Sequence, residues 1–179
     1  GAFYQAGTTL LTPGTVINAP EIAVLATAQC IQVPVYRRLR VAIFSTGDEL
    51  VSPDQPLAPG KLVDSNQYAL TVLLAQMGFE PIRLGIVPDS EDALRKTISL
   101  AVSTADVVLS TGGVSVGDYD YIDKILANLG GKIYISAVAI KPGKPLTVAA
   151  FKRDEKKSDS PISRSDCICF GLPGTPVSS

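Results

Sequence analysis

Histidine is absent from this 179-residue chain. Its absence removes serine–histidine and cysteine–histidine nucleophile pairs, histidine zinc sites and histidine general bases. Any proton transfer then falls to carboxylates, lysine, tyrosine or metal-bound water. Cysteine is scarce: Cys30, Cys167 and Cys169 are an odd number without framework spacing, which argues against a disulfide scaffold. Cys167 and Cys169 lie in the apolar run Cys167-Ile168-Cys169-Phe170, where alternation puts both on one face of a strand. Buried reduced thiols suit them better than a metal site, and reduced thiols point to the cytoplasm. No apolar run is long enough to span a membrane, and no signal-peptide pattern opens the sequence, so no membrane partner is expected. An excess of positive charge is also missing. Sixteen basic and seventeen acidic residues give a formal net charge of −1. Arg37, Arg38 and Arg40 are too few to form the basic stripe of a nucleic-acid binder.

What is present is the composition of a globular domain, 46% hydrophobic and 18% charged. The length suits one full domain plus a remnant. Residues 1–36 read as the remnant of a preceding domain with its linker. Two strand-like pieces, Thr9–Leu11 and Thr15–Ile17, flank the Pro13-Gly14 turn. A helix is expected after Asn18, with Pro20 in its first turn and Glu21 at the capping-box position. From residue 37 onward, apolar strands alternate with helices. Strands are expected at 41–45, 82–87, 106–110, 133–140, 146–151 and 167–170. Helices are expected at 66–77, from an Asp89 or Ser90 cap to about 103, and at 122–129. This alternation predicts a three-layer α/β/α domain on a mostly parallel sheet. The charged, serine-rich stretch 152–166 reads as an exposed hairpin tip. A chain that lacks an initial methionine and stops at Pro176-Val177-Ser178-Ser179, where a helix would begin, reads as a domain truncated at its C-terminal end.

In open α/β sheets, ligands sit beyond the carboxyl ends of the strands. Polar clusters follow those ends here. Thr46-Gly47-Asp48-Glu49 follows the first strand and Asp89 the second. Gly112-Gly113 with Ser115, Gly117, Asp118 and Asp120 follows the third. Lys141 and Lys144 flank Pro142-Gly143 after the fourth, and Pro173-Gly174 follows the last. The glycine loop suits an anion held by backbone N–H groups at a helix start, or an ordinary turn. Asp118 stands where a Walker lysine must be, and no dinucleotide fingerprint is present. The two lysines suit an oxyanion, or are simply solvated. Carboxylates beside a phosphate call for a divalent cation such as Mg²⁺. Alternatively, Asp48, Asp89, Asp118 and Asp120 cap turns and helices. Asn66, in Asp64-Ser65-Asn66, is either a capping residue or a donor to a heterocycle edge. The case for a site is the gathering of glycines, lysines and acids at one sheet edge.

These stretches together resemble the molybdopterin molybdenumtransferase family. The matching segments are Ser45 to Leu50, Asp64 to Asn66, Thr111 to Asp120, Ile140 to Pro145 and Gly171 to Ser178, in family order. The resemblance implies a three-layer α/β domain shared with molybdopterin adenylyltransferases. It implies insertion of molybdate into adenylated molybdopterin, with Mg²⁺ and release of AMP. It assigns Glu49, Asp89, Asp120 and Lys141 to the chemistry. Thr46, Gly47, Asp48, Asn66, Gly112, Gly113, Ser115, Gly117, Asp118, Lys144, Pro173 and Gly174 contact the small-molecule pterin, and Asp48 and Glu49 hold the metal. It further implies a homodimer of the complete protein, whose cleft is finished by another domain. Three departures stand out: Ala137 replaces a lysine of some relatives, Thr175 replaces an asparagine, and Gly1 to Gly7 lack an expected acidic pair. Two alternatives share the fold, a non-catalytic ligand-binding or scaffold module and a competence-damage-type nucleotide-processing domain. The latter reads differently over Gly113 to Gly117.

Overall fold

A computed structural model describes residues 4–112, 119–140, 144–152 and 166–174, with backbone alone for 119–121. The chain divides into two compact units, Gly1–Arg37 and Arg38–Ser179. In the first, helix α1 spans Ala19–Thr27. Its entry is fixed as the sequence predicts: the Asn18 N–H donates to the Glu21 carboxylate at 2.8 Å. The strand-like pieces at 9–11 and 15–17 do not become strands. The apolar pattern is present, but neither segment has a ladder partner among the described residues.

The second unit contains strands β1 (Arg40–Thr46), β2 (Leu50–Val51), β3 (Leu62–Val63), β4 (Glu80–Val87) and β5 (Val107–Gly112). After them come β6 (Lys132–Ile135), β7 (Thr147–Phe151) and β8 (Cys167–Leu172). Its helices are α2 (Asn66–Gln76), α3 (Glu91–Thr104) and α4 (Tyr119–Asn128). Six strands form one sheet in the order β4-β1-β5-β8-β7-β6, while β2 and β3 pair separately. The pairs β4–β1, β1–β5 and β5–β8 are parallel, whereas β8–β7 and β7–β6 are antiparallel. Only β7 therefore runs against the other five, and the expectation of a mostly parallel sheet holds.

Helices cover both faces. In β1, alternate side chains separate Val41 and Ile43 from Ala42 and Phe44. Val41 and Ile43 pack with Leu74 of α2. Ala42 and Phe44 join the larger core with Leu94 and Ile98 of α3 and Ile122, Ile125 and Leu126 of α4. Six of the seven β1 residues are buried, as expected of a central strand sandwiched between layers.

The boundaries of three elements, β4, α4 and β6, differ notably from expectation. β4 starts at Glu80 and runs through Pro81, because it is an edge strand, where a missing N–H costs no ladder bond. α4 starts at Tyr119, a turn earlier than its apolar positions signal. β6 stops at Ile135, and 136–140 are irregular. Its ladder with β7 shifts register between Ile133 and Ile135 and goes no further. β7 and β8 form a hairpin with Phe151 opposite Cys167. The predicted tip between them lies outside the described residues.

Candidate functional site

Strand register brings the polar segments to one sheet edge. Thr46 pairs with Gly112, Thr111 with Leu172, and Gly171 with Thr147. The ends of β1, β5 and β8 and the beginning of the reversed β7 are thus neighbours. This is the carboxyl edge, where ligands bind in open α/β sheets. Buried polar side chains tie the strand ends together: Ser45 Oγ and Thr111 Oγ1 are 2.9 Å apart and share a hydrogen bond.

Glycine is required at this edge for close backbone approach. A Cβ on Gly112, at φ +85°, would lie 2.2 Å from the Thr46 carbonyl oxygen. One on Gly174 would lie 3.1 Å from the Gly112 Cα. At Gly47, a Cβ would meet both Glu49 carboxylate oxygens at 2.7 Å, so the Glu49 side chain is folded back over the Gly47 backbone. These glycines let main chain pack closely at three strand ends, with Gly47 buried against the Glu49 carboxylate and Gly174 exposed.

Asp89 joins the end of β4 to the end of β1. Thr46 Oγ1 donates to Asp89 Oδ1. The Asp48 N–H donates to Asp89 Oδ2 at 3.4 Å, and the Asp89 N–H donates to Asp48 Oδ1 at 3.2 Å. The helix-cap role expected for Asp89 or Ser90 belongs to Ser90, whose side chain accepts from the Ala93 N–H. Asp48, Glu49 and Asp89 are all exposed, so three carboxylates face solvent at this edge. The β2–β3 pair, with Leu62 N–H bonded to Glu49 O and Asp64 N–H to Val51 O, sets the second acidic motif beside the first. Asn66 starts α2, and its amide donates to the Gly174 carbonyl at 2.9 Å, linking α2 to the end of β8.

Thr46, Gly47, Asp48, Glu49, Asn66, Asp89, Gly112 and Gly174 are brought together as predicted, with Pro173 in the same segment. Lys144 is exposed, and its carbonyl accepts from the Val138 N–H at 3.0 Å, closing the segment that leads into β7. Asp120 lies in the first turn of α4. Gly113, Ser115, Gly117, Asp118 and Lys141 lie outside the described residues, as does the final motif beyond Gly174. Sequence reasoning missed Lys61, whose ammonium donates to the Asp48 carbonyl at 2.6 Å. No spacing signals it; it is brought in by the β2–β3 pair. The Asp64–Gln67 link was also missed: the Gln67 amide donates to Asp64 at 2.5 Å and accepts from the Gly85 N–H at 3.2 Å. That N–H is freed by a register shift in the β1–β4 ladder. A hollow of about 470 Å³ lies against Asp64, Gln67, Tyr68, Arg83 and Gly85, and none of the predicted site residues lines it.

Residues 42–179 match a family described as "Probable molybdopterin binding domain". The chain is 60% identical over 176 residues to the molybdopterin molybdenumtransferase of Nostoc sp. (strain PCC 7120), covering 98% of this chain and 38% of that protein. It is 36% identical over 179 residues to the Haemophilus influenzae protein of the same name, covering 100% and 41%. Among solved structures, it superposes on the molybdopterin biosynthesis moeA protein of Pyrococcus horikoshii with a TM-score of 0.70 and 31% identity, covering 90% of this chain and 37% of that one. The tungsten cofactor synthesizing protein MoaB of Pyrococcus furiosus shares the fold, at a TM-score of 0.54 and 17% identity. The chain thus spans about two fifths of the length of the curated relatives it matches most extensively.

Proposed function

The chain belongs to the molybdopterin-binding domain family, and on that premise we propose that its carboxyl sheet edge binds adenylated molybdopterin during molybdenum cofactor biosynthesis. The complete protein would insert molybdate into that substrate and release AMP, as a molybdopterin molybdenumtransferase. One observation carries this reading: the closely packed glycines Gly47, Gly112 and Gly174 meet Asp48, Glu49, Asp89 and Asn66 at a single edge. Main chain without side chains admits a phosphate closely. Gly113, Ser115 and Gly117 would extend that cradle, with Asp118 beside it, and Lys141 and Lys144 would supply cationic donors. Thr46 and Pro173 would complete the walls around the pterin. Glu49, Asp89, Asp120 and Lys141 are the groups available to move protons in a chain without histidine.

The donor set fits Mg²⁺. Among the described residues, no group of three or more acidic or cysteine side chains forms a metal cage. Two exposed carboxylates, Asp48 and Glu49, leave room for substrate oxygens, and Mg²⁺ is commonly held by one or two carboxylates plus phosphates. Bound there, Mg²⁺ would neutralise phosphate charge. Glu49 is exposed, with its carboxylate beside the Gly47 backbone. The complete protein would act in the cytoplasm as a homodimer, with further domains closing the cleft against water. The exposed apolar side chains Val72 and Leu73 of α2, with Met77 just after it, support a protein partner on that face.

The test is AMP release by the full-length parent supplied with adenylated molybdopterin, molybdate and Mg²⁺. Turnover that is abolished by chelation and restored by Mg²⁺ is expected. Full turnover after chelation would remove the metal role.

A further inference from the structure

Beyond the residues assigned above, the structure contains a side-chain link between α4 and β7. Thr147 opens β7 and is fully buried, at 0% exposure. Its hydroxyl donates to Asp123 Oδ1 of α4 at 2.9 Å. Little room surrounds it, since a Cβ on the opposing Gly171 would lie 3.3 Å from the Thr147 Cβ. A buried hydroxyl needs a partner, and a charged acceptor gives the stronger class of bond.

The two ends of this link carry proposed site residues. Asp120 stands three residues before Asp123 in α4. Lys144 stands three residues before Thr147, in the segment closed by its carbonyl bond to Val138. Among the described residues, α4 also packs on the core through Ile122, Ile125 and Leu126. Such contacts are non-directional and leave the helix free to slide or turn by small amounts. A directional hydrogen bond fixes that freedom.

We propose that Asp123 and Thr147 are positioning residues: their hydrogen bond sets the start of α4, which carries Asp120, against the start of β7, whose lead-in carries Lys144. The role rests on the function proposed above; the coupling itself does not. It predicts that a defect on either element is felt on the other, and that catalysis suffers from misplacement although neither residue touches the substrate.

The experiment uses the full-length parent and its Thr147→Val, Thr147→Ser and Asp123→Ala variants. Amide hydrogen exchange is followed without ligand, and AMP release is followed with adenylated molybdopterin, molybdate and Mg²⁺. Thr147→Val should speed exchange at the start of α4 relative to α3 by roughly fivefold, and Asp123→Ala should do the same at the start of β7. Both should slow AMP release by roughly tenfold or more per folded molecule, since small displacements are costly in an oriented site. Thr147→Ser keeps the hydroxyl and should restore both readouts. Asp123 lies on a half-exposed helix position, so its variant remains usable if Thr147→Val fails to fold. Unchanged exchange on the partner element overturns the coupling. Altered exchange with an unchanged rate, or failure of Thr147→Ser to rescue, overturns the positioning role. A wild-type parent that releases no AMP removes the proposed function instead, and the exchange measurement still decides the coupling.

Discussion

The two ends of the central sheet treat acidic residues in opposite ways. Where the strands begin, Asp106 is buried at 4% exposure. Its carboxylate accepts from the Arg40 N–H at 2.9 Å, its N–H donates to the Arg40 carbonyl, and its carbonyl accepts from Ile168. One residue thus fastens β1, β5 and β8 at their starts. Where the same strands finish, Asp48, Glu49 and Asp89 are exposed, and glycine stands where a side chain would separate the acids from the main chain. An acid absorbed into chain-to-chain hydrogen bonds stabilises the fold. Asp48 and Asp89 also bond across the ends of β1 and β4, but they do so at an exposed edge that solvent reaches. The lesson is that burial, rather than residue type, separates Asp106 from the carboxylates of the opposite edge.

Substitutions that sharpen the contrast follow in order of expected effect. Gly112→Ala forces a Cβ into the Thr46 carbonyl at a left-handed backbone position. We expect a loss of roughly 3 kcal/mol in unfolding free energy, read by urea titration, together with weakened ligand binding. Asp106→Ala leaves the part-buried Arg40 N–H without its acceptor. It should cost about 1–3 kcal/mol of stability while the remaining folded protein binds ligand with unchanged affinity. Weaker binding by folded Asp106→Ala would break the contrast between the two ends. Lys144→Ala should leave the melting temperature unchanged and weaken binding of adenylated molybdopterin, more at low than at high salt, since screening is then least. Affinity that is equal at both salt concentrations would return Lys144 to the solvated surface. Arg95→Ala, which removes an exposed helix pair with Glu91 at 3.4 Å, should change stability by no more than about 0.5 kcal/mol and leave binding untouched.

Much of this arrangement was legible in the sequence. The strand–helix alternation from residue 41 gave the layers, and Asn18 with Glu21 marked the entry to α1. Ser90 and the Gly78 stop, at φ +86°, bounded α3 and α2. The ends of β1, β4, β5 and β8 also met at one edge, because parallel strands finish on the same side. What was not legible depends on pairing between distant segments. β2 and β3 are two residues each, too short for a periodic signal, yet they deliver Lys61 to Asp48. Reversal of β7 depends on the hairpin with β8, and that reversal brings Thr147 to the site edge. Asp89 read as a helix cap because its partners, Thr46 and Asp48, lie more than forty residues away in sequence. The strand predicted through Ile140 fell short because apolar composition continued where the ladder did not.

The most direct test of the central claim compares Glu49→Gln with the wild-type full-length parent. The substitution keeps the shape of the side chain over Gly47 and removes its charge. The account predicts an unchanged melting temperature and AMP release slowed at least about tenfold, equivalent to about 1.4 kcal/mol of transition-state stabilisation. AMP release at the wild-type rate would contradict it, as would a rate loss explained entirely by unfolding. Either result would make the exposed acids of the carboxyl edge as structural as Asp106.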